Sequence, residues 1–176
     1  GGVSGDWNDA SNWMPSGVPT INTCVIIPDV TATNPSNILG ANYNAFGKTL
    51  QVKNLGNLQI QPTNTLTIQD YVDVTTGGTF DIENSASLIQ IDNVANTGNI
   101  TMKRTAIAGA QDYVYWSTPV GGFSIDNVLP TAGVFKYLWN PTVNNGGTYD
   151  GNFGNWSIAA GAMTTGRGYI KLGSGG

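Results

Sequence analysis

One short phrase occurs three times between residues 50 and 103 of this chain. It appears as Gly56–Ile60 (GNLQI), Gly78–Ile82 (GTFDI) and Gly98–Met102 (GNITM), with the glycines 22 and then 20 residues apart. Each copy predicts a turn glycine followed by a short strand with its apolar side chains on one face. A fixed period of this length is typical of a solenoid, in which successive coils stack and bury a shared interior.

The first two coils each contain three apolar pairs, and the predicted strands start eight, eight and six residues apart. Three strands per coil indicate a three-sided cross-section, with Asn, Gly and Thr at the corners because these residues tolerate turn conformations. Gln90 stands where the first coil has Ile68, and Ile91 follows one place late, which predicts a β-bulge near Gln90. The side chains predicted to point inward are Leu50, Val52, Leu58, Ile60, Leu66 and Ile68.

The residues before the repeat are predicted to close its N-terminal end. Residues 1–23 carry Trp7 and Trp13 among Gly, Asn, Asp and Pro, without helical periodicity. Two indoles lying across the first coil would cover its strand edges, and we favour this cap over a pair of sugar-stacking rings. Val25–Ile27 reads as a buried strand, and residues 28–49 as a long connection anchored by Tyr43 and Phe46.

The composition limits the chemistry that the chain can perform. Seven Lys and Arg against eleven Asp and Glu leave no basic stripe for nucleic acid. The chain has no His and one Cys, which removes the common general base and any internal disulfide. Cys24 opens an apolar run and is predicted to be a buried small hydrophobe. No apolar run approaches the roughly 20 residues of a membrane span.

The residue pattern of the sequence changes after Thr105. Aromatic strand sequences occur at residues 113–116, 134–139, 156–158 and 169–172, separated by loops rich in Gly and Asn. We therefore predict an all-β chain of two parts: a capped solenoid over residues 1–104 and a small sandwich or sheet over residues 105–176. The closing Gly173-Ser174-Gly175-Gly176 has linker composition, and Gly1 is not an initiator Met, so we expect a segment of a longer protein.

Several motifs, in this order, give the chain a family resemblance. It resembles adhesin-like surface proteins of Bacteroidota that the type IX secretion system exports. The matching elements are Trp7, Asn12-Trp13, Gly17-Val18-Pro19, Cys24–Pro28, Tyr115–Val120 (YWSTPV), Tyr137–Asn140 (YLWN) and Met163 with Gly166–Ile170 (GRGYI). The resemblance implies an extracellular, cell-surface location and a β-solenoid followed by β-rich modules. It also implies a role in adhesion, surface layers or motility-related filaments.

Acidic residues on the coils offer one enzymatic alternative. Asp73, Asp81 and Glu83 alternate with inward apolar residues and are predicted to project outward, as carboxylates do in β-helix enzymes that degrade polysaccharides. Glycoside hydrolysis needs two carboxylates held at a defined separation in a groove. Two to three coils form only a narrow wall, so we interpret these acids as solvated surface residues and the chain as non-enzymatic.

Calcium is the cofactor that the sequence leaves open. Asp6–Asp9 and Asp150–Asn152 place oxygen ligands at alternate positions, but neither stretch contains the distal Glu of a complete calcium loop. Turn stabilisation by the Asp and Asn side chains is the favoured interpretation. We therefore predict no bound cofactor, with calcium as the alternative.

Aromatic residues of the second part form the candidate ligand site. Tyr113 and Tyr115 alternate with Val114 and Trp116, so one of the two rows should be partly exposed. A packed aromatic core is the alternative, and Arg167 between two glycines could stack on such rings. The predicted carbohydrate platform consists of Tyr113, Tyr115, Trp116, Trp139 and Trp156, with Tyr137 and Tyr149 nearby.

Two functional hypotheses follow from these observations. The leading one is a structural or adhesive module of an extracellular surface or filament protein, whose partners are neighbouring modules or copies of such a protein. The competing one is a carbohydrate-binding module that uses the aromatic residues between positions 113 and 156. Self-association through the solenoid ends is a third possibility.

Overall fold

The chain forms two compact units, residues 1–105 and 106–176. The computed structural model describes residues 4–29, 35–109, 111–129, 135–148 and 151–173. These residues contain fourteen β-strands, two short 3₁₀-helices and no α-helix. The predicted all-β fold, with a solenoid followed by a separate β unit, is confirmed.

The first unit is a three-sided solenoid of parallel strands. Its three sheets have the strand orders β1-β4-β7, β2-β5-β8-β10 and β3-β6-β9, so each strand pairs with its counterpart one coil away. The strands are β1 (Cys24–Ile27), β2 (Ser36–Ile38), β3 (Asn44–Gly47), β4 (Thr49–Val52), β5 (Asn57–Ile60), β6 (Thr65–Ile68), β7 (Val72–Val74), β8 (Thr79–Ile82), β9 (Ser87–Gln90) and β10 (Thr101–Met102).

The repeated phrases are successive rungs of one sheet, as predicted. Leu58 of β5 lies beside Phe80 of β8, and Ile82 of β8 lies beside Met102 of β10. All six side chains predicted to point inward between residues 50 and 68, on β4, β5 and β6, have 0 % exposure. Period-two alternation therefore sorts each short strand into an aliphatic interior and a polar exterior.

The glycine that opens each phrase is required by the close approach of neighbouring coils. A Cβ atom on Gly78 would lie 2.7 Å from the carbonyl oxygen of Lys53, and one on Gly56 would lie 2.7 Å from that of Ile27. Only Gly98 of the three has a positive φ, +81°, and a Cβ there would collide with the Val74 carbonyl. The sequence predicted a turn glycine, whereas steric contact between coils explains the first two copies.

The N-terminal segment caps the first coil, as predicted. Trp7 is 1 % exposed and belongs to the solenoid core, and its backbone N–H donates to the carbonyl of Asn37 on β2. The Trp13 ring meets it edge-on at 4.8 Å, and its Nε1 donates to the Trp7 carbonyl at 2.8 Å. The two indoles thus pack against each other and over the first coil.

Residues 28–49, predicted as a long connection, contain two strands of a coil that precedes the predicted ones. Together with β1, these strands form the first coil of the solenoid. β2 and β3 lie between residues 36 and 47 and pair in parallel with β5 and β6. Ala45 is fully buried, whereas Phe46, predicted as an anchor, is 40 % exposed. Tyr43 does pack against the core. The coil escaped prediction because β2 contributes only one large apolar residue and β3 buries a small one.

The burial predicted for β1 is wrong at two positions. Cys24 is exposed, and Ile26 is 53 % exposed, while Val25 and Ile27 are buried. β1 presents one face to the interior and one to solvent, so alternation decides burial more strongly than the apolar character of the run.

The last complete coil has no β-bulge near Gln90. Ile68 pairs directly with Gln90 in an unbroken register between β6 and β9. The Gln90 side chain donates to the Val94 carbonyl and accepts from Asn96 Nδ2. Met102, also predicted inward, is 38 % exposed because no described strand pairs beyond β10.

The second unit contains one described sheet, which is antiparallel. Its strands are β11 (Tyr113–Trp116), β12 (Lys136–Asn144), β13 (Phe153–Ile158) and β14 (Tyr169–Leu172), in the order β11-β14-β12-β13. A short 3₁₀-helix, Ile125–Asn127, supplies the fully buried Ile125 to a small core with Val128, Ala159, Met163 and Tyr169. Gly173 is buried and donates to the Asp112 carbonyl, and the other residues predicted as a linker lie outside the described part.

Candidate binding face

The sheet of the second unit separates its large side chains onto two faces. Residues paired across antiparallel strands lie on the same face. Ile170 of β14 pairs with Tyr115 on one side and with Tyr137 on the other, and Tyr137 in turn pairs with Ile158. Alternation along the strands adds the remaining members. We call this set the aromatic face: Tyr113, Tyr115, Tyr137, Trp139, Trp156, Ile158, Ile170 and Leu172.

Much of the aromatic face is open to solvent. Ile158 is 81 % exposed, Tyr115 74 %, Tyr113 41 % and Trp139 38 %. Isolated exposed apolar residues are ordinary, but a contiguous patch of this kind marks an interaction surface.

The rings of the aromatic face are held in tilted pairs. Tyr113 and Tyr137 have centroids 6.1 Å apart and planes at 60°, and Trp139 and Trp156 are 5.2 Å apart at 70°. Desolvation, followed by the neighbouring Tyr137, raises the pKa of Tyr113, so its phenol remains a neutral hydrogen-bond donor at physiological pH. Tilted pairs fix the rings before any ligand arrives.

The Trp139 indole is further fixed by a glycine. Gly154 has φ +99°, and a Cβ atom at this position would collide with the six-membered ring of Trp139. The indole therefore lies across the backbone of β13 and against Trp156. Only glycine at position 154 allows this orientation.

The structure brings together four of the five residues predicted as a platform and separates the fifth. Tyr113, Tyr115, Trp139 and Trp156 share the aromatic face, together with Tyr137. Trp116 lies on the opposite face and packs against the core around Ile125. Tyr149 lies outside the described residues. Ile158 and Ile170 were missed because strand register, which the sequence does not show, places them between the aromatic rows.

The opposite face of the sheet carries a buried lysine with a structural role. Lys171 is 4 % exposed, and its Nζ donates to the Val128 carbonyl at 2.5 Å. Desolvation, together with the charge of Lys136, lowers the pKa of Lys171. This contact ties the chain after the 3₁₀-helix to the sheet and leaves the aromatic face as the open one.

Arg167 lies at the Trp139 end of the aromatic face. Its Nη2 donates to the Trp139 carbonyl at 3.3 Å, and its backbone N–H donates to the Thr164 carbonyl, which closes a turn. The side chain is exposed, and positions 166 and 168 on either side have open space where a Cβ would lie. A guanidinium has five N–H donors, so this contact leaves others available.

The three acids considered for catalysis do not converge. Asp73 lies on β7, whereas Asp81 and Glu83 belong to the side formed by β8. Glu83 accepts from Gln59 Nε2 at 2.5 Å and from Lys103 Nζ at 2.6 Å, and Asp73 accepts from Thr97. The hydrogen bond from Lys103, followed by that from Gln59, lowers the pKa of Glu83. The carboxylates of Asp73 and Glu83 thus connect neighbouring coils.

The stretches considered for calcium form turns where the structure describes them. Asp6 accepts from the backbone N–H of Asn8, and Asp9 caps the short 3₁₀-helix Ala10–Asn12 by accepting from Ser11. The side-chain hydrogen bond from Ser11 is the main cause that lowers the pKa of Asp9. Asp150 lies outside the described residues. Within the described ranges, no group of three or more His, Cys, Asp or Glu side chains is arranged to hold a metal ion.

Comparison with known proteins gives a family and no named relative. Residues 1–174 match the model of a family described as Domain of unknown function (DUF8693). No curated protein and no solved structure matches the chain. Among the described residues, no helix has the length and apolar character needed to cross a membrane.

Proposed function

This chain belongs to the DUF8693 family, and we propose that it is a non-enzymatic structural and adhesive module of an extracellular surface or filament protein. The observation that carries the proposal is the exposed aromatic face, a patch of fixed rings on one side of the sheet. Exposed apolar patches of this kind are typical of surfaces that contact another molecule.

The first unit supports the structural half of this proposal. Its coils are joined by parallel backbone ladders, and side-chain bonds such as Gln59 to Glu83 and Gln69 to Asp92 also connect successive coils. A solenoid of this kind transmits position along its axis because each coil is fixed by its neighbours. The resemblance to adhesin-like proteins exported by the type IX secretion system points to the same role at the cell surface.

Surface labelling tests the location and role. Antibodies against this chain should label intact, unpermeabilised cells of the source organism, and protease added outside the cells should remove the signal. A cytoplasmic protein labelled only after permeabilisation is the control. Signal restricted to permeabilised cells would contradict an extracellular module, and polysaccharide degradation by the purified chain would contradict a non-enzymatic one.

A carbohydrate-binding module is the second candidate, favoured by the composition of the aromatic face. Tyr and Trp rings present flat apolar faces together with O–H and N–H donors, which suits the mixed apolar and hydroxyl surface of a sugar. The four strands of the sheet contain no Asp or Glu. An aromatic surface whose strands carry no carboxylate fits a glycan chain lying across them.

A glycan array separates this candidate from a pure spacer. We expect Tyr115→Ala to weaken glycan binding about fivefold, because a well-placed aromatic contact is worth about 1 kcal/mol. Tyr115 is 74 % exposed, so the substitution should leave the fold intact, which circular dichroism checks. Phe46→Ala, which truncates an exposed aromatic side chain of the solenoid, is the matched control. Glycan binding that Tyr115→Ala leaves unchanged would reject the aromatic face as the site.

A further inference from the structure

The geometry points to a carboxylate-bearing polysaccharide, such as a polyuronate, as the ligand class of the aromatic face, with Arg167 holding the carboxylate beside Trp139. This inference rests on the proposed carbohydrate-binding function and adds the charge of the ligand. It follows from three features: the size of the face, the open space at its Trp139 end, and the position of the one arginine of the second unit.

The size of the aromatic face suits a narrow ligand. The section in which all four strands run side by side is about four residues long and measures about 19 Å by 14 Å, or roughly 260 Å² in projection. Each partner of a stable protein complex buries about 800 Å². This section is narrow compared with such an interface, and its width suits an extended polysaccharide lying across the strands.

The row that contains Trp139 has open space at its end. Trp156 pairs with Trp139, and the register that pairs Leu138 with Tyr169 places Gly168 on the other side of Trp139. A Cβ atom at Gly168 would have no neighbour within 4 Å. The aromatic face therefore carries no side chain at Gly168, which follows Trp139 in this row and follows Arg167 in the chain.

Arg167 lies next to this open position, and its side chain has N–H donors beyond the one that bonds to Trp139. Its turn is fixed by the bond from its own N–H to the Thr164 carbonyl and by the bond from the Gly166 N–H to the Thr118 carbonyl. Its Nη2 donates to the Trp139 backbone carbonyl at 3.3 Å, which places the exposed guanidinium against the Trp139 backbone at this end of the sheet. A guanidinium fixed in this way can bind a carboxylate through two parallel N–H···O bonds.

The charge of the rest of the chain makes this contact specific. The protein carries a formal net charge of −4, so its overall field repels a polyanion. The two lysines in the sheet strands, Lys136 and Lys171, belong to the opposite face by register. Within the described part of the second unit, Arg167 is therefore the cation available to attract an acidic polymer to the aromatic face.

Binding to matched polymers tests the inference. The full chain is titrated with polygalacturonate, alginate and hyaluronan, each beside its carboxyl-reduced neutral counterpart. We expect at least one acidic polymer to bind about tenfold more tightly than its neutral form, with the preference falling as NaCl is added. Arg167→Gln should abolish that preference, and Tyr115→Ala should weaken both forms. Lys48→Gln, which removes an exposed positive charge from the solenoid, should change neither.

The outcomes distinguish this inference from the function on which it rests. Equal binding of acidic and neutral forms, or a preference that survives Arg167→Gln, overturns the role of Arg167 while leaving carbohydrate binding in place. Failure of every acidic polymer to bind overturns the ligand class, and the glycan array then decides separately whether the face binds neutral sugars.

Discussion

Phe80→Ala is expected to lower the free energy of unfolding of the first unit by about 3–5 kcal/mol, a typical cost of removing a buried aromatic ring. Phe80 is 1 % exposed and is the largest side chain within the repeated rungs. It lies directly beside Leu58 in the neighbouring coil. Because backbone ladders on both sides fix the spacing between coils, the walls cannot collapse into the cavity that the substitution leaves.

Chemical denaturation followed by circular dichroism measures this effect, and hydrogen exchange of the β5 and β8 amides assigns it to the solenoid. Ile89→Ala is the control, because Ile89 lies on β9, the strand that follows β8, and is 48 % exposed. It should cost about 1 kcal/mol or less, since only part of the side chain is buried. Equal losses from the two substitutions would show that Phe80 does not occupy a rigid interior.

Asn64→Leu is expected to cost about 2 kcal/mol or more, because the Tyr43 N–H and the Gly40 carbonyl lose their partner and a lost bond of this kind costs about 1–3 kcal/mol when the group is buried. The Ile38 carbonyl keeps its bond from the Gln61 N–H. Asn64 is 1 % exposed at a corner of the solenoid. Its Oδ1 accepts from the Tyr43 N–H at 2.9 Å, and its Nδ2 donates to the carbonyls of Ile38 and Gly40 at 3.2 and 3.1 Å. The side chain thus joins the second coil to the corner between β2 and β3.

The Tyr43 amide reports directly on this substitution. Its hydrogen exchange should accelerate in Asn64→Leu together with the amides of β3, while exchange in the second unit should not change. Asn44→Ala removes an exposed amide side chain from the same region and should alter stability by at most about 0.5 kcal/mol. A stable Asn64→Leu variant with a protected Tyr43 amide would contradict the role assigned to this corner.

The solenoid was predictable where the repeat was strong. The two phrases place apolar residues at the same positions and alternate them with polar ones, so the pattern predicts which side chains face the interior. These residues are Leu58, Ile60, Phe80 and Ile82. The coil formed by β2 and β3 was not predictable on this basis. Two of its interior positions are occupied by Ser36 and Ala45, whose small side chains give little apolar signal, and Ile38 alone does not make a periodic pattern although the backbone pairs in register.

The candidate site was predictable in residue type and not in arrangement. Alternation in β11 already separates Tyr113 and Tyr115 from Trp116, but it does not reveal which row the core covers. The position of the segment around Ile125 decides this, because its apolar side chains pack on the Trp116 side. Ile158 joins the aromatic rows only through strand pairing between residues far apart in sequence.

The sequence by itself determined the coil, its period, its aliphatic interior and the presence of a second aromatic β unit, since these depend on alternation and repetition along the chain. Tertiary structure alone decided that Cys24 is exposed, that the repeat glycines serve close packing, and that Arg167 lies beside Trp139. The physical reason is that local patterns specify which face of a strand is apolar. Which neighbour covers that face, and at what distance, depends on residues brought together only by folding.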